Sequence, residues 1–168
     1  MKMIKEFSLK NNGDLDVIAN GNFKVKEFAC KDGSDKILIN TDLVDCLQGV
    51  RNITGNPINI VSGYRTEDYN NKCGGAKSSK HLTGNAIDFT SRDVACTNKI
   101  FEIALILEYH YLIKGIGIYI NREQQFIHFD NREQKIIWIN DGIYHTQTYY
   151  NNIYDYFVKN QPLKQIKI

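Results

Sequence analysis

At 168 residues, with 42% hydrophobic and 24% charged residues, the sequence is long enough to bury one core without disulfides and reads as one globular domain. Its 21 basic residues against 19 acidic leave a net charge of +2, which excludes a nucleic-acid-binding signature and allows only mild attraction to polyanionic surfaces. No apolar run approaches the ~18 residues of a membrane span, and Met1 to Lys10 lacks the continuous apolar segment of a signal peptide, so no membrane insertion is expected. Cys30, Cys46, Cys73 and Cys96 are widely spaced and form no C-x-x-C pair. They are expected to be free thiols in a chain made in a reducing compartment.

In chain order, residues 4–20 suggest one or two short strands broken at Asn11-Asn12-Gly13, with a second turn at Asn20-Gly21-Asn22. Residues 36–39 form a short apolar strand. Asn40 and Thr41 are good helix N-caps, and Leu43, Val44, Leu47 and Val50 recur at helical spacing. The pattern predicts a helix over 41–54 with Gly55 just past its end. Residues 57–62 alternate as a strand, and Gly74-Gly75 makes part of the polar stretch 67–79 a loop. A strand over 85–90 precedes a helix over 93–111, with Val94, Ile100, Ile103, Ala104, Leu107 and Tyr111 facing inward. Strands over 115–120 and 125–129 are joined most simply as a hairpin around residues 121–123. A turn at 131–134 leads to a strand over 135–140 carrying Trp138, and the Tyr-rich tail adds a strand or short helix. The fold class is α+β: a single domain, mainly an antiparallel sheet with helices packed on it.

Chemistry concentrates in two segments. Ser79 to Asp88 reads S-x-H-x-x-G-x-A-x-D, and His81 with Asp88 offers an imidazole and a carboxylate, half of a metal site. The third donor is expected from His128 in Phe126-Ile127-His128-Phe129-Asp130. Taken alone, His81 can equally be a loop histidine before a buried Asp, and His128 a core residue. Asp130 shares a strand face with His128 and can orient the imidazole, contact substrate or water, or pair with Arg132. Arg65, directly after a strand, can fork onto a substrate carboxylate or pair with Glu67 or Asp68. No P-loop is present, and Gly115-x-Gly117 leads into a strand, so nucleotide binding is not expected.

Six pieces occur in order: Ser62-Gly63-Tyr64-Arg65, Tyr69-Asn70, Gly74-Gly75-Ala76, Ser79 to Asp88, Gly115 to Tyr119, and Phe126 to Asp130. Together they resemble the zinc D-Ala-D-Ala carboxypeptidase family, which includes peptidoglycan endopeptidases. The likeness is greatest to its small single-domain members among bacterial and phage cell-wall hydrolases. It runs from about residue 22 to Trp138, leaving residues 1–21 as an N-terminal extension and 139–168 as a tail packed on the core. The resemblance implies Zn²⁺ held in a surface cleft by His81, Asp88 and His128. It implies substrate held and polarised by Arg65, with Tyr64 and Ser79 as further substrate-binding candidates. Several relatives carry an acid or histidine as general base three residues before the last ligand. Here that position is Gln125, whose amide cannot take a proton at neutral pH. Asp130 is the first substitute expected as catalytic base and Glu123 the second.

The resulting expectation is a zinc peptidase that hydrolyses stem or cross-link peptides of bacterial peptidoglycan, as carboxypeptidase or endopeptidase. A phage or prophage endolysin fits best: made in the bacterial cytoplasm without a signal peptide, monomeric, and acting at the wall after release. The alternative is a catalytically inactive, zinc-containing module that binds wall peptides.

Overall fold

The computed structural model describes residues 4–91, 97–120, 125–140 and 148–155. In chain order these form β1 (Ile4–Ser8), α1 (Leu9–Asn12), β2 (Lys36–Asn40), α2 (Thr41–Thr54), β3 (Ile58–Ser62) and α3 (Glu67–Lys72). There follow β4 (Ala86–Ser91), α4 (Thr97–Leu105), β5 (Gly115–Ile120), β6 (Gln125–Asp130), β7 (Ile136–Asn140) and β8 (Thr148–Tyr150). Strands β1 and β2 make an antiparallel ribbon, and the other six form one sheet in the order β3-β4-β6-β5-β7-β8. Within that sheet only β5 and β7 run parallel. The architecture is a single α+β domain with a mainly antiparallel sheet, as the alternation of apolar residues implies.

Helix α2 forms where its signals coincide. Asn40 Oδ1 accepts from the Asp42 amide at 3.0 Å, and the Gly55 amide closes the far end on Arg51 O at 2.9 Å. Leu43, Val44, Leu47 and Val50 are buried and join Ile37, Phe89, Ile116 and Phe129 in one apolar cluster. Helix α3 was hidden in a polar stretch that reads in part as loop. Thr66 Oγ1 accepts from the Tyr69 amide at 3.2 Å, and Glu67 and Asp68 occupy the positive end of the helix dipole. Only Asn70 of that helix is buried, so no apolar stripe announces it. Residues 4–20 hold one strand, followed by α1 and an isolated bridge between Asp16 and Lys24.

The start of the helix expected over 93–111 lies outside the described residues. From Thr97 it is α-helical and then opens into a π-helical turn, Ile106–His110. Ile100, Ile103, Ala104 and Leu107 are buried as their spacing requires. The buried Glu108 carboxylate in that turn accepts from Lys135 Nζ and from the Ile153 amide, pinning the β6–β7 loop and the segment after β8 to the helix. Cys30, Cys46 and Cys73 are free thiols, and Cys96 lies outside the described residues.

One row of paired residues crosses the whole six-stranded sheet: Ser62, Asp88, His128, Gly117, Trp138 and Tyr149. The register of β3 slips between Ile60 and Ser62, and this bulge brings Ser62 opposite Asp88. Gly117, between His128 and Trp138, lets the indole lean toward the imidazole, with ring centroids 5.2 Å apart. A Cβ at Gly117 would stand 2.4 Å from Trp138 Cε2. Gly117→Ala is therefore expected to cost about 1–3 kcal/mol of stability through overpacking. Urea unfolding followed by fluorescence of Trp138, the single tryptophan, measures it.

Candidate metal centre and active site

His81 sits in a 3₁₀ turn, Lys80–Thr83, whose entry is capped by Ser79 Oγ accepting from the His81 amide at 3.4 Å. The turn ends at Gly84 with φ 67°, a left-handed conformation that suits glycine. There the chain presses on β2: a Cβ would stand 2.4 Å from Leu38 O, and the Asn40 amide donates to Gly84 O at 2.9 Å. The Arg65 amide donates to His81 O at 3.1 Å, tying the turn to the end of β3. Asp88 and His128 stand opposite each other on β4 and β6.

These elements bring three donor atoms together. His81 Nε2 lies 3.2 Å from Asp88 Oδ1 and 3.3 Å from His128 Nδ1, and His128 Nδ1 lies 2.7 Å from Asp88 Oδ1. Tetrahedral zinc with bonds of roughly 2.0–2.1 Å needs ligand atoms roughly 3.3 Å apart, so the triangle approximates one face of that polyhedron. The other ring nitrogens fix the tautomers a metal needs. His81 Nδ1 must carry hydrogen because it meets a carbonyl, Gly63 O, at 2.7 Å, which leaves the Nε2 lone pair facing the cluster. His128 Nε2 donates to Asp130 Oδ2 at 2.9 Å, leaving Nδ1 for the cluster. The set fits a metal ion.

Electrostatics tie the cluster together. Burial alone would raise the Asp88 carboxyl, but the two imidazoles that face it hold it well below the usual carboxylate range. Asp130 is likewise held low, against its burial, by Arg132 and His128. Burial would lower His128, yet Asp130 and Asp88 on its two nitrogens push it up to about 9 in the metal-free protein. Arg65 spans Asp88 Oδ2, through Nη2 at 2.7 Å, and Ser62 Oγ, through Nε at 2.8 Å.

Asp130 shares the strand face of His128 but meets the ring away from the donor cluster. It meets His128 at Nε2, on the far side of the ring from Nδ1, and is fully buried. Arg132 Nε reaches both of its oxygens at 2.8 and 3.0 Å, and the Arg132 amide donates to Oδ1 at 3.0 Å. Both of its oxygens accept from His128 or Arg132, an arrangement that can orient the imidazole. The Gln125 position belongs to the opposite, core-side face of β6, since pairing with β5 is unbroken from Gln125 to Asp130. Glu123 lies outside the described residues.

The triad opens into a cleft of about 860 Å³. One wall comes from the chain between β3 and β4, including Arg65, Gly74, Gly75 and Ser79. The other comes from the sheet and the β6–β7 loop, including Tyr119, Phe126, Arg132, Glu133 and Trp138. Trp138 Nε1 donates to Tyr119 Oη at 3.1 Å, Tyr119 stacks on Phe126 at 4.2 Å, and the Arg132 guanidinium lies 5.0 Å from the Trp138 ring centre. A second hollow of about 620 Å³ shares Arg65, Ser79 and Lys80 with the first and reaches Tyr64 and Lys77. Sequence reasoning offered Arg132 as a partner of Asp130, and the structure makes that pair; it did not place Tyr119, Glu133 or Trp138 on the cleft wall. The two-residue period that links His128 to Asp130 continues to Arg132, and that was the available signal.

A family model described as Peptidase M15 matches residues 20–130, more than half of the chain. The chain belongs to the peptidase M15 family. This peptidase carries all three donor residues, together with Tyr64, Arg65 and Ser79, inside the matched span. Arg132, Glu133 and Trp138 lie beyond it. No curated protein matches the chain.

Two expectations follow for the M15 chain. Below pH about 9 the metal-free protein holds on His128 a proton that a metal must displace. Metal affinity is therefore expected to rise with pH up to that point, with proton release near neutrality, measured by calorimetry in buffers of different ionisation heat. Arg132→Ala, which frees Asp130 from its anchor, is expected to weaken metal binding about 10- to 100-fold in competition with a chelator.

Proposed function

We propose that this M15 peptidase is a zinc enzyme that hydrolyses peptide bonds in the stems or cross-links of bacterial peptidoglycan, acting as an endolysin. The observation that carries the proposal is the triangle of His81 Nε2, Asp88 Oδ1 and His128 Nδ1, with Arg65 on the second oxygen of Asp88. A hard–borderline set of two imidazoles and one carboxylate on three protein positions is that of a catalytic zinc site with one position left open. Zinc bound there supplies Lewis acidity and lowers the pKa of water toward ~7.

The chain's own residues supply the rest. Arg65, on the wall shared by the two hollows, binds a substrate carbonyl or carboxylate and stabilises the oxyanion formed on attack. Ser79 positions the His81 turn, and Tyr64 lines the hollow on the far side of Arg65. Asp130, held by Arg132, acts as a positioning residue for His128. The substrate reading rests on the resemblance to small cell-wall hydrolases. No helix among the described residues is long and apolar enough to cross a membrane.

A second reading, a zinc-containing module that binds wall peptides without cutting them, is favoured by one observation: Gln125 carries an amide and belongs to the core side of β6. Purified sacculi separate the two. The protein is expected to release soluble peptides, to stop after chelation and to resume on zinc addition. His81→Ala is expected to lose release while keeping its circular dichroism spectrum. Stoichiometric zinc with no peptide released from any type of sacculus would establish the binding module instead.

A further inference from the structure

We propose that Tyr119 is a substrate-binding residue whose hydroxyl donates a hydrogen bond to a backbone carbonyl of the peptide lying in the cleft, an assignment that rests on the peptidase reading. Strand pairing places it. His128 stands opposite Gly117, and two residues along the same strands Phe126 stands opposite Tyr119. All four therefore belong to the sheet face that carries the donor cluster. Tyr119 lines the cleft from the sheet, and Arg65 lines it from the chain that follows β3. The charges of Asp88 and Arg65 both act on the phenol, which puts it within the field of the cluster.

A phenol has one hydrogen to give and lone pairs with which to accept. Trp138 Nε1 is a donor only, so in its 3.1 Å contact with Tyr119 Oη the indole gives and the phenol accepts. The hydroxyl hydrogen is not spent on that bond. Among the described residues no group accepts it. Burial raises the phenol above its usual range, so the hydroxyl keeps its hydrogen at neutral pH.

The ring is also fixed before any ligand arrives. It stacks on Phe126 with centroids 4.2 Å apart and planes 9° from parallel. The indole that meets its oxygen fills the space left by Gly117, where a Cβ would stand 2.6 Å from Nε1, and it lies under the Arg132 guanidinium. A donor held by such supports loses little freedom on binding, which is the condition for a polar group to fix a ligand's register. Peptide carbonyls are uncharged acceptors, and a neutral hydroxyl meets them without the cost of stripping water from a second ion.

The test uses zinc-loaded wild type and Tyr119→Phe, which keeps the ring and removes the hydroxyl. Trp138, the single tryptophan, borders that hydroxyl, so its emission in stopped flow reads peptide binding before turnover. The probes are soluble wall stem peptides and, for comparison, an N-acetylated tetra-alanine. Tyr119→Phe is expected to keep stoichiometric zinc and a kcat within threefold, while Kd and KM rise about 3- to 10-fold. Peptides with one amide at a time replaced by an ester separate contact from support, because the ester carbonyl is the weaker acceptor. One such replacement is expected to weaken binding to the wild type more than to Tyr119→Phe. Equal affinity of the two proteins for every peptide, or ester losses that are the same in both, overturns the assignment. Binding of tetra-alanine but of no stem peptide, with the same dependence on Tyr119, would refute the peptidoglycan reading and leave Tyr119 in place. A wild type that binds neither kind of peptide overturns both.

Discussion

A buried carboxylate governs this molecule. Asp88 is 4% exposed, yet both of its oxygens are charged positions that need partners. The protein answers with two imidazoles on Oδ1 and a guanidinium on Oδ2, each delivered by a different part of the chain. Burying such a charge without those partners is prohibitive, so the β3 end, the His81 turn and strand β6 are constrained to meet at one point. The same demand extends outward: His128 needs Asp130, Asp130 needs Arg132, and Arg132 lies over Trp138. A chain of alternating charge thus runs from the centre of the sheet to the rim of the cleft.

Much of the fold was legible because several local signals agreed. Helix α2 has a cap, an amphipathic face and a terminating glycine in one stretch, and β5 alternates glycine or tyrosine with isoleucine. Helix α3 was not legible, because EDYNNK buries one polar residue and carries no apolar period. The order of strands was equally hidden. Periodicity shows which residues share a face, whereas the insertion of β6 between β4 and β5, and the parallel pairing of β5 with β7, are decided by packing.

The three residues that could hold a metal were legible because few side chains offer neutral nitrogen or anionic oxygen to a metal, and three of them stand in ordered motifs. The part played by Asp130 was not. Shared strand face places it beside His128 but does not say which ring nitrogen it meets. The place of Glu133 on the cleft wall was hidden for a different reason. It sits in a run, Asn131 to Gln134, whose composition signals only a turn, and its place on the cleft wall depends on how that turn is anchored. Gly117 shows the same limit: its missing side chain matters because of an indole two strands' pairing away from His128, not because of its own backbone.

The three donors are separated by seven residues from His81 to Asp88 and forty from Asp88 to His128. A metal ion shared among them closes both segments into rings, and the rings vanish when the chain unfolds. The described cysteines are free, so the fold has no covalent staple among them. An ion bound only by the folded form fills that office by mass action, adding protection that grows with its concentration relative to its dissociation constant. In the proposed zinc enzyme durability and chemistry share one clasp, and a surrounding medium that strips the ion would weaken the scaffold as well as silence the site.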